Sequence, residues 1–246
     1  MSYTLLALAL APGIAISLFM YWRDSHNREP LKWLLLCFLL GALSIVPAVF
    51  IEQGIDIGLK QNFPTNGILY NILNAFVSAA LVEELLKYCM LRWAVYNKKA
   101  FDEPLDGIVY AVMVSMGFAT VENIMYVYNY GFNTAIMRMV LAVPGHAFWT
   151  LLMGYYVGLA KFNKGSKGNL YILKGIFLAI LFHGTYDACL FLSESGALSE
   201  YVTSGLLVIG AIASHIIALI LCIRAVHIHR KKSKLQKQKN IDHPSL

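Results

Sequence analysis

Apolar residues along this chain come in long blocks, not in alternation and not as one stripe of an amphipathic helix. Seven blocks, at about residues 4–22, 33–51, 68–95, 105–128, 134–160, 171–192 and 204–226, each approach the roughly 20 residues that a helix needs to cross a bilayer. The breaks between them are RDSHNREPLK, EQGIDIGLKQNFPTNG, YNKKAFDE, NYGFN, KFNKGSKGNL and SESGALSEYVT. These are short and polar, most contain Gly or Pro, and they read as turns between antiparallel helices. Strands of a membrane barrel would alternate every second residue instead. The pattern predicts an all-α polytopic transmembrane bundle of about seven spans.

Composition agrees with this pattern. Of 246 residues, 58% are hydrophobic and 14% charged, more apolar surface than a soluble domain of this length can hide. The Met1 end lacks a basic n-region, and Arg23 and Arg28 follow the first block. It therefore reads as a helix that stays in the membrane, not a cleaved signal peptide. The four cysteines lie inside apolar blocks without CxxC spacing, as small buried hydrophobes do. Aromatic residues at Tyr21–Trp22, Trp33, Trp93–Tyr96 and Tyr126–Tyr130 sit at block edges, where an interfacial belt belongs.

Charge placement sets an expected topology. Segments 23–32, 92–99 and 161–174 and the tail from Arg224 carry 3, 3, 4 and 7 basic residues, and the opposing segments only Lys60 and Arg138. The positive-inside rule then puts the N-terminus outside and the C-terminus in the cytoplasm. Residues 1–226 are expected to form one transmembrane domain, with 227–246 a disordered basic tail able to attract anionic lipids at about 1 kcal/mol per basic residue. Nothing points to nucleic acid.

Four consecutive blocks carry polar residues in their interiors, where an ionised side chain costs about 2.5–3.5 kcal/mol on insertion scales. The third has Glu83, Glu84 and Lys87; the fourth has Glu122 and Asn123; the fifth has His146 after Pro144–Gly145; the sixth has His183 and Asp187. The first two have none. Helices three to six should therefore surround a shared polar centre, with a catalytic core at about 75–190. His215 in the seventh block reads as a packing residue.

Helical spacing refines the set. Glu83 and Lys87 are i,i+4, about 40° apart around the helix, as are His183 and Asp187. Lys87 can neutralise one of the glutamates, and Asp187 can accept a hydrogen bond from His183 and orient it. Glu83 and Glu84 lie about 100° apart, so one faces the centre only obliquely, and Glu83 is taken as the base. Two histidines with carboxylates and no thiolate suit a catalytic zinc site, with a remaining carboxylate taking a proton from water. At about 1.5 Å per residue, Glu122 and Asp187 fall at a different depth from Glu83. Unless tilt or a kink at Pro144–Gly145 closes that gap, Asp187 and Glu122 would act from beyond the metal's own ligands.

These residues also carry a resemblance. EELLK (83–87), FDEPLDGIVYA (101–111), FATVEN (118–123), His146 and HGTYD (183–187), in that order, resemble the PrsW family of bacterial membrane proteases. That family is related to the CAAX-prenyl endopeptidases and bacteriocin-processing proteins. The relatives' motifs are EExxxR, FxxxH and HxxxN; here Lys87 comes one position early, Glu122 replaces a His and Asp187 an Asn, substitutions that follow the PrsW branch. The resemblance implies a multi-pass protease of the bacterial cell membrane, of the glutamate type and metal-dependent. Its implied role is the first, outer-side cut in a single-pass anti-sigma factor during a stress response. It further implies Glu83, Glu84 and His183 as catalytic, Glu122, His146 and His183 as metal-binding, and Lys87, Asn123 and Asp187 as supporting. The competing expectations are a CAAX-type or bacteriocin-processing protease and, in another class, an ion-coupled transporter.

Overall fold

A computed structural model describes residues 2–23, 27–163, 165–199 and 203–242, with side chains through residue 229. The described residues form helices and turns with no strand: α1 (Tyr3–Arg23), α2 (Leu31–Asn62), α3 (Ile68–Leu73), a π-helical segment (Asn74–Ala80), α4 (Leu81–Ala94), α5 (Asp106–Tyr130), α6 (Phe132–Val140), α7 (Ala142–Lys161), α8 (Ser166–Ser195) and α9 (Ser204–Asp242). They supply seven stretches long and apolar enough to cross a membrane, since α3 to α4 and α6 to α7 each make one span. Leu35, Phe50, Leu173, Phe177, Ile209 and Ile223 are among many large side chains pointing outward, as expected where the surroundings are lipid.

α5 is the centre of the bundle. Every residue from Asp106 to Thr120 is buried, and a helix apolar on all faces must be enclosed on all faces. Helices α1, α2 and α7 pack around it, α8 packs on α7, and α9 packs on α8 and α7. The contacts are close because small residues meet there. A Cβ at Gly117 would stand 1.9 Å from the Phe38 carbonyl oxygen, and one at Gly107 would stand 2.5 Å from that of Gly154. The α2–α5 and α5–α7 crossings therefore admit nothing larger than glycine at those points.

The expected spans are found, with three differences. α2 does not end at residue 51 but continues to Asn62. Gly54 and Gly58 are tolerated on its open face, where a Cβ would meet nothing. The Asp56–Lys60 pair, 2.6 Å apart at i,i+4, supports the added turns, and the chain reverses only at Phe63–Gly67 beside Pro64. Second, the fifth span is broken at Leu141 (φ −112°, ψ −68°), so that Pro144 falls in the first turn of α7, where its missing N–H costs no hydrogen bond. Third, α9 runs through Asp242 where a disordered tail was expected from 227. Its Lys, Arg, Gln and Leu residues favour helix, and no proline interrupts it. The tail's side chains beyond residue 229 and residues 243–246 lie outside the described residues.

Candidate active site

The local origin of the site is the π-helical segment NAFVSAA, Asn74–Ala80. A π turn bonds i to i+5 and is wider than an α turn, so it sets the phase at which the following helix presents its side chains. Small buried residues, Ala75, Ser78 and Ala80, allow it. The Ser78 hydroxyl donates to the Glu52 carbonyl at 3.1 Å, and Phe76 lies against Gly184 of α8. Held between α2 and α8 in this way, α4 begins at Leu81 and turns both Glu83 and Glu84 inward. Their relative exposures are 4% and 0%. Both glutamates of the pair, about 100° apart on the helix, reach the same lysine, because side-chain reach adds to helical spacing.

Lys87, fully buried, donates to Glu83 Oε2 at 3.0 Å and to Glu84 Oε1 at 2.8 Å, neutralising neither glutamate exclusively. Its Nζ also lies 3.0 Å from His146 Nδ1. An ammonium can only donate, so Nδ1 accepts, and the ring proton of a neutral His146 sits on Nε2. From there it is donated to Glu122 Oε2 at 2.9 Å. Arg138 of α6 donates to the same Glu122 oxygen at 2.5 Å and to Asn123 Oδ1 at 3.1 Å. Asn123 in turn donates to the Ala9 carbonyl at 2.9 Å, which ties this arm to α1.

His183 is held between two carboxylates, with Nδ1 3.0 Å from Glu84 Oε1 and Nε2 3.2 Å from Asp187 Oδ2. The Trp149 ring stacks on it at 4.2 Å and 13°. Thr150 donates to Glu84 Oε2 at 3.1 Å, and the Ser115 hydroxyl, 3.0 Å from that of Thr150, donates to the His146 carbonyl at 2.8 Å. Glu84 is thus engaged on both oxygens. Among the described residues Glu83 bonds Lys87 alone, with His146 Nδ1 3.8 Å away, and keeps acceptor capacity free.

Glu83, Glu84, His146 and His183 each present one ligand atom, all within 4.8 Å of one another. Two oxygen and two nitrogen donors suit zinc or a similar divalent ion. Two further observations fit a cation there. If His183 donates to Asp187, its Nδ1 is an acceptor facing another acceptor at Glu84, an arrangement that a ring proton or a cation must relieve. And among the described residues the four carboxyl groups of Glu83, Glu84, Glu122 and Asp187 gather with two lysine or arginine side chains, Lys87 and Arg138.

The residues expected from sequence therefore divide. Glu83, Glu84, His146 and His183 converge, with Lys87 among them. Glu122 touches the far nitrogen of His146 and is not one of the four converging donors; Asp187 stands behind His183 in the same way. Asn123 bonds the Ala9 carbonyl and Arg138. His215 bonds the Leu141 carbonyl at 2.9 Å. Sequence reasoning missed Glu52, Ser115, Arg138, Trp149 and Thr150. The second span was read as free of interior charge, yet the continued α2 brings Glu52 within electrostatic reach of Glu83 and Glu122, with its Oε1 buried and unpartnered among the described residues. Arg138 carried a signal, as one of two basic residues on the sparsely charged side. Thr150 carried a weaker one, one turn after His146.

A separate cavity of about 580 Å³ is lined by Ile16, Met20, Val112, Pro144, Phe148 and Cys222 among others. At 100° per residue, Pro144, Ala147, Phe148 and Leu151 lie on the face of α7 opposite His146, Trp149 and Thr150. That apolar cavity therefore backs the helix and is not part of the polar cluster.

The family described as PrsW family intramembrane metalloprotease matches residues 29–224. Among curated relatives, Protease PrsW of Geobacillus kaustophilus (strain HTA426) is 39% identical over 193 residues, covering 78% of this chain and 82% of the relative. Protease PrsW of Bacillus subtilis (strain 168) is 34% identical over 185 residues, 75% of this chain and 82% of the relative. That of Clostridioides difficile (strain 630) is 35% identical over 207 residues, 80% and 84% respectively. No solved structure matches the chain.

Proposed function

Because the chain belongs to the PrsW family of intramembrane metalloproteases, and is thereby a membrane peptidase of a multi-pass bacterial membrane protein type, we propose that the buried cluster of Glu83, Glu84, His146 and His183 hydrolyses a peptide bond with Glu83 as the general base. The observation that carries this reading is the unequal engagement of two adjacent glutamates. Glu84 is bonded on both oxygens by Lys87, His183 and Thr150. Among the described residues Glu83 has one bonding partner and can take a proton.

Glu84, His146 and His183 would hold the divalent ion, zinc by the chemistry of the donors. Such an ion supplies Lewis-acid polarisation and brings water to ionise near neutral pH. Glu122 and Asp187, on the opposite nitrogens of the two histidines, keep those rings oriented and their other nitrogens turned toward the cluster. Glu83 removes a proton from water as its oxygen bonds to the scissile carbonyl carbon. The same proton passes to the amide nitrogen as the C–N bond breaks, and the second proton of the water passes from the new carboxyl group to the departing amine, leaving a carboxylate and an ammonium. The low-dielectric surroundings strengthen each of these contacts.

The substrate is a single-pass membrane protein whose peptide enters the chamber between α4, α5, α7 and α8. An anti-sigma factor cut first on its outer side is the specific substrate proposed, with the N-terminus of the protease outside the cell. Family membership favours this reading over prenyl-protein cleavage and over ion-coupled transport. Processing of a single-pass substrate in proteoliposomes tests it: Glu83→Gln and His183→Ala variants that fold should cleave at least about 10²-fold more slowly than wild type. Undiminished cleavage by either would remove the mechanism.

A further inference from the structure

Lys87 is unusual among buried lysines in the company it keeps. Its Nζ lies 3.0 Å from Glu83 Oε2, 2.8 Å from Glu84 Oε1 and 3.0 Å from His146 Nδ1. These three groups belong to three of the four residues whose ligand atoms converge within 4.8 Å. An ammonium has three N–H donors and no acceptor, so the three contacts account for all of them. The contact at His146 takes the one electron pair that Nδ1 has, and the other two take carboxylate pairs that a metal ion could use. Glu122, on His146 Nε2, directs the other ring nitrogen, Nδ1, to this position, where the lysine meets it.

We propose that Lys87 is an internal cation that competes with the divalent metal for this donor set and so sets how tightly the site holds metal. It rests on the reading of the four residues as a metal site, and not on what the enzyme cleaves. The physical reason for a lysine is the cost of burying two adjacent carboxylates without a counter-charge. The reason it can yield is its position and form. Lys87 is one helical turn from both glutamates, and its compact charge rides on a flexible four-carbon stem. The ammonium can withdraw from one donor while keeping another, without any change in the backbone. Phe118, whose ring lies 4.4 Å from Nζ, can keep the displaced charge in favourable contact.

The consequence is a coupling between metal and fold that one substitution should expose. In Lys87→Met the two carboxylates lose their resident cation, and a metal ion at the same donors would restore a stabilising charge. Purified full-length wild type and Lys87→Met, in the same detergent or nanodisc, are titrated with zinc against a chromophoric chelator. Their melting temperatures are measured with chelator and with zinc. Lys87→Met should bind zinc about tenfold or more tighter, the scale expected from removing a like charge within a few ångströms. It should melt well below wild type in chelator and regain more of its Tm with zinc than wild type does. Lys87→Arg, which keeps the charge on a stiffer group, should bind zinc no more tightly than wild type and guards against a Met variant that cannot be purified. Equal or weaker zinc binding by Lys87→Met, no zinc-dependent recovery of its Tm, or tighter binding by Lys87→Arg would overturn the proposal. None of these readouts uses a substrate. Tight zinc binding in Lys87→Met beside full cleavage by Glu83→Gln would uphold this inference and reject the base assignment.

Discussion

Two groups of buried carboxylates lie at different levels of the bundle, one at an end and one deep among the helices, and they are built in different ways. At the end that carries the basic loops, Asp106 Oδ2 accepts two backbone N–H bonds, from Asp102 and Glu103, both at 2.8 Å. The Tyr110 hydroxyl donates to Glu29. These bonds tie the chain before α2 and the loop before α5 to α5 itself. In the chamber the donors to carboxylate are two side-chain cations, a threonine and two imidazoles, and electron pairs from four residues converge on one small volume. Relative exposures of 1% at Asp106 and 4% at both Glu29 and Glu83 do not distinguish the two groups. What separates them is the company of the carboxylates: backbone N–H groups and a tyrosine hydroxyl in the first group, and in the second the ligand atoms of four residues within 4.8 Å of one another.

The widest separation between the two groups should come from paired amide substitutions. Glu83→Gln should lower cleavage by about 10²- to 10⁴-fold in a protein that still folds. Asp106→Asn should leave cleavage per folded molecule within a few-fold of wild type. Equal losses in the proteoliposome assay would collapse the distinction. Within the chamber, Asp187→Asn keeps the shape beside His183 but removes the charge that orients it, and should weaken zinc binding by about 10- to 100-fold, measured by chelator competition.

A smaller effect tests the mould around the chamber. A methyl group added in Gly184→Ala would come within 2.4 Å of the Phe76 ring and must displace it or α8. The expected cost is about 1–3 kcal/mol of stability, with cleavage reduced because Phe76 belongs to the π turn that aims the glutamates. Smallest in cleavage is Tyr110→Phe. Leaving Glu29 with one donor fewer should cost about 1–3 kcal/mol of stability and show only in the melting curve. A Tyr110→Phe enzyme that melted normally but failed to cleave would make the second group functional after all.

Much of this molecule is legible in one dimension. The seven spans, most of their ends, and the restriction of interior charge to consecutive helices follow from quantities that are local to the chain. These are the run of apolar residues against bilayer thickness and the cost of an ionised group in it. The same locality explains where such reading goes astray. Ending the second span at the first polar residues hid Glu52, because i,i+4 pairing and an open face let α2 continue through EQGIDIGLKQN. The role of Arg138 was not legible either, since its partner Glu122 is set by how α6 folds back beside α5, which no spacing within one helix records.

By itself the sequence determined that this is a helical membrane protein with acid, base and imidazole groups on helices three to six, and the order of its motifs pointed to the family. Only the tertiary structure decided that Glu83, Glu84, His146 and His183 form one set, that Glu122 and Asp187 stand behind the histidines, and that Lys87 stands among the donors. Depth along each span set Glu122 and Asp187 apart from Glu83 but did not by itself bring the four donors together. They meet because a π turn resets the phase of α4 and because glycine contacts bring α2, α5 and α7 close together. Rotation and crossing are properties of packed helices, and neither is written in any single one of them.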